Sequence, residues 1–176
     1  MAKAQGTVRF HQRDQTVTFR VEGRGTMTWS LPLRRTAERL LDAGAKRVRI
    51  DLRDCTYMDS TFLGTLLTLK KAVDRAGGRL TLLMPSPACV RILHQMGLTD
   101  VLPVQVEGAD PHASWTELAC ETNDPAFRRN VVQAHEELAA LPGPAGEQFK
   151  AVVRCMGQPE PPAPPRPADP SQKPSE

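Results

Sequence analysis

The chain is poor in aromatic residues and carries little net charge. Its 176 residues include two Trp, one Tyr and five Phe, and the formal net charge is +3. A nucleic-acid-binding domain usually carries a basic stripe interleaved with aromatic side chains, whereas Lys and Arg are scattered along this sequence. We therefore expect no direct contact with nucleic acid.

Long apolar runs are also absent. No segment approaches the ~20 apolar residues of a membrane-spanning helix, and the first ten residues lack the apolar core of a signal peptide. The sequence therefore predicts no membrane insertion and a cytoplasmic location.

The sequence has no motif typical of a metal site or a catalytic centre. Its four cysteines form no CxxC pair and its four histidines show no ligand spacing: Cys55, Cys89, Cys120, Cys155, His11, His94, His112 and His135. Buried free thiols are the expected state of Cys55 and Cys89, since a domain of this size needs no disulfide. Acidic residues cluster around one loop (Asp51, Asp54 and Asp59), but such residues after a strand usually cap helices or face solvent. We expect no metal, no cofactor and no enzymatic activity.

Apolar periodicity predicts a mixed α/β fold. Period-two alternation and short apolar runs indicate strands near residues 8–10, 17–21, 48–52, 80–83 and 101–104, with a charged turn at residues 11–15. Helical spacing indicates helices over residues 30–43 and 87–97, and a third that opens at Ser60 and ends at Gly77-Gly78. Ser30 and Ser60 are the expected N-caps. The order β-β-α-β-α-β-α-β predicts a partly parallel sheet backed by helices.

The last third of the chain indicates a helical extension. Ser114 and Glu117 have the spacing of a capping box, and Asp124-Pro125 is typical of an N-cap followed by proline. Two apolar stripes separated by residues 142–144 predict a helical hairpin. Eight of the final eighteen residues are proline, which predicts a disordered tail. We divide the chain into residues 1–108, 109–157 and 158–176.

One segment carries a specific resemblance. The run Tyr57-Met58-Asp59-Ser60-Thr61-Phe62-Leu63-Gly64 resembles the phosphorylation loop of STAS domains, the module of bacterial anti-sigma-factor antagonists. A second match lies at the expected distance, from Gly77-Gly78-Arg79 through Pro85-Ser86-Pro87 to Met96-Gly97-Leu98. The resemblance covers residues ~6 to 106 and implies a STAS fold.

The resemblance implies partner switching. The unphosphorylated antagonist binds an anti-sigma factor that is also a serine kinase, phosphorylation ends the binding, and a PP2C-type phosphatase restores it. By position, Ser60 is the implied phosphorylation site, with Thr61 as runner-up. The implied recognition patch comprises Tyr57, Met58, Asp59, Thr61 and Phe62. At Phe62 the simpler family members carry glycine, so this position either contacts a partner or packs under the helix.

Other functions stay open. A STAS subunit of a membrane transporter would use the same loop without phosphorylation, and a scaffold or sensor would use the C-terminal helices. The hairpin is expected to cover the open face or an edge of the sheet. Alternatively, it offers a groove for a partner helix or for a homodimer.

Overall fold

The computed structural model describes residues 6–120 and 124–157. Its elements in chain order are β1 Thr7–Arg13, β2 Thr16–Gly25, α1 Met27–Asp42, β3 Arg47–Asp51, β4 Cys55–Met58, α2 Ser60–Arg75, β5 Arg79–Leu83, α3 Pro87–Gln95, β6 Val104–Gln105, β7 Thr116–Glu117, α4 Pro125–Ala139 and α5 Pro144–Met156. None of the helices in this described part is long and apolar enough to span a bilayer.

The strands form one mixed sheet. Its order is β6-β5-β3-β2-β1-β7, and β4 pairs with the end of β2. The pairs β2–β3, β3–β5 and β5–β6 are parallel, whereas β1 is antiparallel to both β2 and β7. The predicted mixed α/β sheet is therefore confirmed.

Side-chain alternation gives the sheet one apolar and one polar face. Cross-strand neighbours on the buried face include Val17, Phe19, Val48, Ile50, Leu80 and Leu82. These side chains join those of the helices in a single hydrophobic core. The intervening residues of the same strands, such as Thr16, Arg47 and Arg79, lie on the opposite face.

Two predicted helix starts are wrong for local reasons. Helix α1 begins one turn before Ser30, because Thr26 is its N-cap, and the Ser30 hydroxyl instead donates to the Thr26 carbonyl over 3.2 Å. The Ser114–Glu117 capping box does not form. Residues Thr116 and Glu117 make the short strand β7, where pairing with β1 satisfies the backbone that a helix would otherwise use.

The C-terminal hairpin forms as predicted but covers a different surface. Asp124 caps α4, accepting from the Ala126 N–H over 2.7 Å, and Pro125 follows at the first helical position. Helix α4 packs on α2, and not on the open face of the sheet. The prediction that the hairpin covers the open face or an edge of the sheet is therefore wrong, since the hairpin covers helix α2. The proline-rich tail, residues 158–176, lies outside the described residues.

Candidate functional site at the start of helix α2

One carboxylate fixes the junction between β4 and α2. Asp59 Oδ1 accepts a hydrogen bond from the Phe62 N–H over 2.8 Å, which makes Asp59 the N-cap of α2. Its Oδ2 accepts from the Met27 N–H over 2.7 Å at the start of α1. The predicted N-cap, Ser60, is wrong by one position, since Asp and Ser are comparable caps and the carboxylate serves two helices at once.

Ser60 is therefore the first residue of α2, and its hydroxyl is held by a distant histidine. Ser60 Oγ lies 3.1 Å from His135 Nε2 on α4. His135 Nδ1 lies 2.8 Å from the Val131 carbonyl, which only accepts. In the neutral imidazole the proton therefore resides on Nδ1, so Nε2 accepts from the Ser60 hydroxyl.

Sequence reasoning missed this pair. It treated His135 as an isolated histidine, and 75 positions separate it from Ser60. His135 is 6% exposed, and its ring also contacts Phe149 of α5 with centroids 5.8 Å apart. Both helices of the hairpin thus meet at the imidazole that binds Ser60.

The predicted recognition patch divides into an exposed and a buried part. Tyr57 is 38% exposed, with the Arg24 guanidinium 4.1 Å from its ring centroid, and Asp59 and Ser60 are half-buried. Met58, Thr61 and Phe62 are buried. These three side chains do not form part of the surface in this structure, so Tyr57 and Asp59 are the members of the predicted patch that reach it.

Phe62 packs beneath the helix because β2 leaves room for its ring. A Cβ placed on Gly25 would lie 3.0 Å from that ring. The position that carries glycine in simpler family members is therefore occupied here by a core side chain, and its contact is internal.

The approach of α4 to α2 is unusually close at Gly64. A Cβ at Gly64 would lie 2.0 Å from the Ala134 carbonyl oxygen. Asn130, which is buried, donates through Nδ2 to Thr65 Oγ1 over 3.3 Å, and its Oδ1 accepts from Arg34 of α1 over 3.3 Å. Lys71 and Glu137 form an ion pair at the periphery. The hairpin is thus fastened to the helix that begins with Ser60.

Two of the three acidic residues near this loop, Asp51 and Asp59, have protein partners, whereas Asp54 is exposed. Asp51 is fully buried, and its oxygens accept from Arg20 Nε over 3.2 Å and from Arg53 Nε over 3.1 Å. Both oxygens of Asp59 accept backbone hydrogen bonds. In the part of the chain that the structure describes, no group of three His, Cys, Asp or Glu residues is arranged to bind a metal ion.

The two cysteines beside the loop are buried free thiols, as predicted. The side-chain hydrogen bond between Cys55 and Cys89 lowers the pKa of Cys89 to about 7 and, together with burial, raises the pKa of Cys55. Ser86 donates to the Cys55 carbonyl and also caps α3. These contacts connect β4 to α3 behind the Ser60 loop.

Comparisons with known proteins agree with this architecture. Residues 8–104 match the family model described as "Mlab, STAS domain". The anti-sigma-B factor antagonist of Bacillus subtilis (strain 168) is 30% identical over 96 residues, which are 54% of this chain and 87% of that protein. The matched family region ends before α4 and α5 begin.

Solved structures show the same fold. The anti-sigma factor antagonist SpoIIAA in its unphosphorylated form is 22% identical with a TM-score of 0.52, covering 57% of this chain and 89% of its own. An anti-sigma factor antagonist from Mycobacterium paratuberculosis is 18% identical with a TM-score of 0.52, covering 61% and 92%. The chain therefore belongs to the STAS-domain family, with anti-sigma-factor antagonists among its relatives.

Proposed function

We propose that this protein is an anti-sigma-factor antagonist whose binding is switched by phosphorylation of Ser60. The unphosphorylated form binds an anti-sigma factor that is also its serine kinase, and a PP2C-type phosphatase restores binding after phosphorylation. The relationship to an anti-sigma-B factor antagonist supports the general role. The observation that carries the switch is the half-buried Ser60 hydroxyl, held by His135 at the start of α2.

Phosphate at this position has opposing local effects. It adds about −1.5 to −2 charges near the positive end of the α2 dipole, which favours the modified state. The modified oxygen, however, no longer donates to His135 Nε2. The Ser60–His135 hydrogen bond, as the structure has it, is therefore lost on phosphorylation. We expect the loss of this contact to loosen α4 where it packs on the start of α2.

The hairpin thereby becomes part of the switch. His135 and its α4 neighbours cover one side of Ser60, so a kinase reaches the hydroxyl only from the Tyr57 and Asp59 side or after α4 has moved. The recognition surface we assign comprises Tyr57, Asp59 and Ser60. Thr61, the second candidate for phosphorylation, is 4% exposed, so its hydroxyl is less accessible than that of Ser60.

We interpret the Ser60–His135 contact as a positioning contact and not as a catalytic pair. In a serine hydrolase a carboxylate stabilises the imidazolium that forms when the histidine takes the serine proton. Here the corresponding nitrogen, Nδ1, is bound to a helix carbonyl of its own element. A regulatory protein without enzymatic activity is therefore the function we propose.

The first test is mass spectrometry of the protein isolated from its native host in several growth states. Phosphate on the peptide that contains Ser60, with an occupancy that changes with conditions, is the expected result. A fully covered and never modified peptide would rule out the kinase switch. The loop would then act as a constitutive docking surface, as in a transporter subunit or a scaffold.

The second test measures partner binding. A Ser60→Asp variant is expected to lose an anti-sigma factor that the unmodified chain captures, whereas Ser60→Ala is expected to retain it. Equal capture by both variants would contradict switching at Ser60. The protein would then bind the anti-sigma factor without control by this residue. We also propose the division of the chain at residues 108 and 157.

We further propose a homodimer through the C-terminal helices, and sedimentation of the full chain tests this oligomeric state.

A further inference from the structure

Cationic side chains that are scattered in sequence meet on the open face of the sheet. Arg47 and Arg79 are direct neighbours on the parallel strands β3 and β5, and Arg49 follows two positions along β3. The period of two directs all three side chains away from the core. Lys46 precedes β3 and extends the cluster at the strand entrance.

A pair of glycines brings the two strand entrances together. Gly77 has φ of 68°, and a Cβ on Gly78 would lie 2.4 Å from the Lys46 carbonyl oxygen. That same carbonyl accepts from the Arg79 N–H over 2.8 Å. The turn after α2 can therefore close onto the chain before β3, which places Lys46 beside Arg79.

Within residues 6–120 and 124–157, no acidic side chain pairs with these cations. Arg47 Nε donates to Thr16 Oγ1 over 2.8 Å, and Lys46 Nζ donates to the Ala76 carbonyl over 3.0 Å. Neither Arg49 nor Arg79 makes a side-chain hydrogen bond or ion pair to another residue among those described. By contrast, Arg20 on the same face is neutralised by Asp51.

The cluster lines a cleft of about 460 Å³. That volume falls within the ~300 to 1,000 Å³ of small-molecule sites. In the part of the chain that the structure describes, no carboxylate and no aromatic side chain lines it. Arg49 also borders a neighbouring cleft that contains Asp14 and Asp110, where Asp110 is engaged by Arg13 over 3.1 Å.

We propose that this cleft binds a compact polyanion with two or more linked phosphate groups. Guanidinium groups match phosphate oxygens in two-point hydrogen bonds, and three arginines with one lysine on adjacent strands can share the charge of such a chain. The absence of an aromatic lining disfavours a stacked nucleobase.

This site is separate from the Ser60 loop. Lys46, Arg47 and Arg79 lie at the N-terminal ends of β3 and β5, whereas Ser60 follows the C-terminal end of β4. The inference does not depend on the proposed switch, so it can fail or succeed by itself.

The test is calorimetric titration of the full chain with tripolyphosphate at physiological salt, with orthophosphate and hexaglutamate as comparison ligands. We expect saturable binding of tripolyphosphate, weaker binding of orthophosphate and no comparable binding of hexaglutamate. The double variant Arg49→Gln/Arg79→Gln is expected to bind about a hundredfold more weakly, since each of the two lost charge-assisted hydrogen bonds is worth about a factor of ten.

The matched control removes two exposed arginines from helices that do not contribute to the cleft, Arg91→Gln in α3 and Arg128→Gln in α4. It has the same net charge as the cleft variant and should retain affinity within about twofold. Circular dichroism confirms that each variant is folded. Absence of tripolyphosphate binding, equal weakening by the control, or equal binding of hexaglutamate would each overturn the proposal.

Discussion

Helices α2 and α3 both follow a strand of the same sheet, yet they are buried to different extents. Ten of the sixteen residues of α2 are buried, whereas only Cys89 and Leu93 are buried among the nine of α3. Val90 of α3 is 46% exposed. The difference arises because α4 covers α2, which shows that the chain adds a second layer to one helix of its STAS domain.

The composition of the two helices reflects this difference. Helix α2 carries Gly64, Thr65 and Thr68 between its leucines, and all three are buried. Glycine inside a helix costs about 1 kcal/mol relative to alanine, a cost that close packing of α4 offsets. A buried stripe of small residues on a helix thus indicates that another helix lies over it.

The largest expected effect comes from filling this helix crossing. Gly64→Val places side-chain atoms where the Ala134 carbonyl lies, so α4 must separate from α2 and the free energy of unfolding should fall by about 3 kcal/mol. Urea denaturation of the full chain measures the change. The control Ala88→Val introduces the same β-branched residue into α3 and should cost well under half as much. Similar losses at both positions would mean that α2 is not tightly covered.

The second effect distinguishes destabilisation of the domain core from loosening of α4, the helix that covers α2. Leu138→Ala in α4 and Leu93→Ala in α3 both truncate buried leucines and should each cost about 2–3 kcal/mol. Only Leu138→Ala should also accelerate amide hydrogen exchange in the first turns of α2, because only it loosens the hairpin. Equal acceleration by both variants would show that α4 and the domain core unfold as one unit.

The sequence predicts more of the fold than of the contacts around Ser60. Alternation in β2 and β3 predicted the sheet, and Asp124-Pro125 located the start of α4 correctly. Strand β4 was missed because it has only four residues, the middle two of which are exposed. The Ser60–His135 contact was missed because no local pattern encodes a contact between distant helices. The arginine cluster likewise arises only when parallel register aligns two strand starts.

The third effect tests the contact at Ser60 itself. His135→Ala should cost about 1–2 kcal/mol through the lost hydrogen bond and ring packing, whereas His94→Ala on the exposed side of α3 should change stability by less than about 0.5 kcal/mol. A double-mutant cycle with Ser60→Ala is expected to give a coupling energy of about 1 kcal/mol. A coupling energy near zero would mean that the two side chains do not stabilise each other.

The smallest expected effect concerns the uncovered helix. Val90 is exposed on α3, so Val90→Ser should change the free energy of unfolding by less than about 0.5 kcal/mol. A larger loss would mean that a segment outside the described residues covers α3 as α4 covers α2, since an exposed valine has little burial to lose. Thermal denaturation at two protein concentrations separates that case from self-association, because only self-association makes the midpoint depend on concentration. If Val90→Ser leaves the free energy of unfolding unchanged, α3 is the uncovered counterpart of α2, and the hairpin is selective for the helix that carries Ser60.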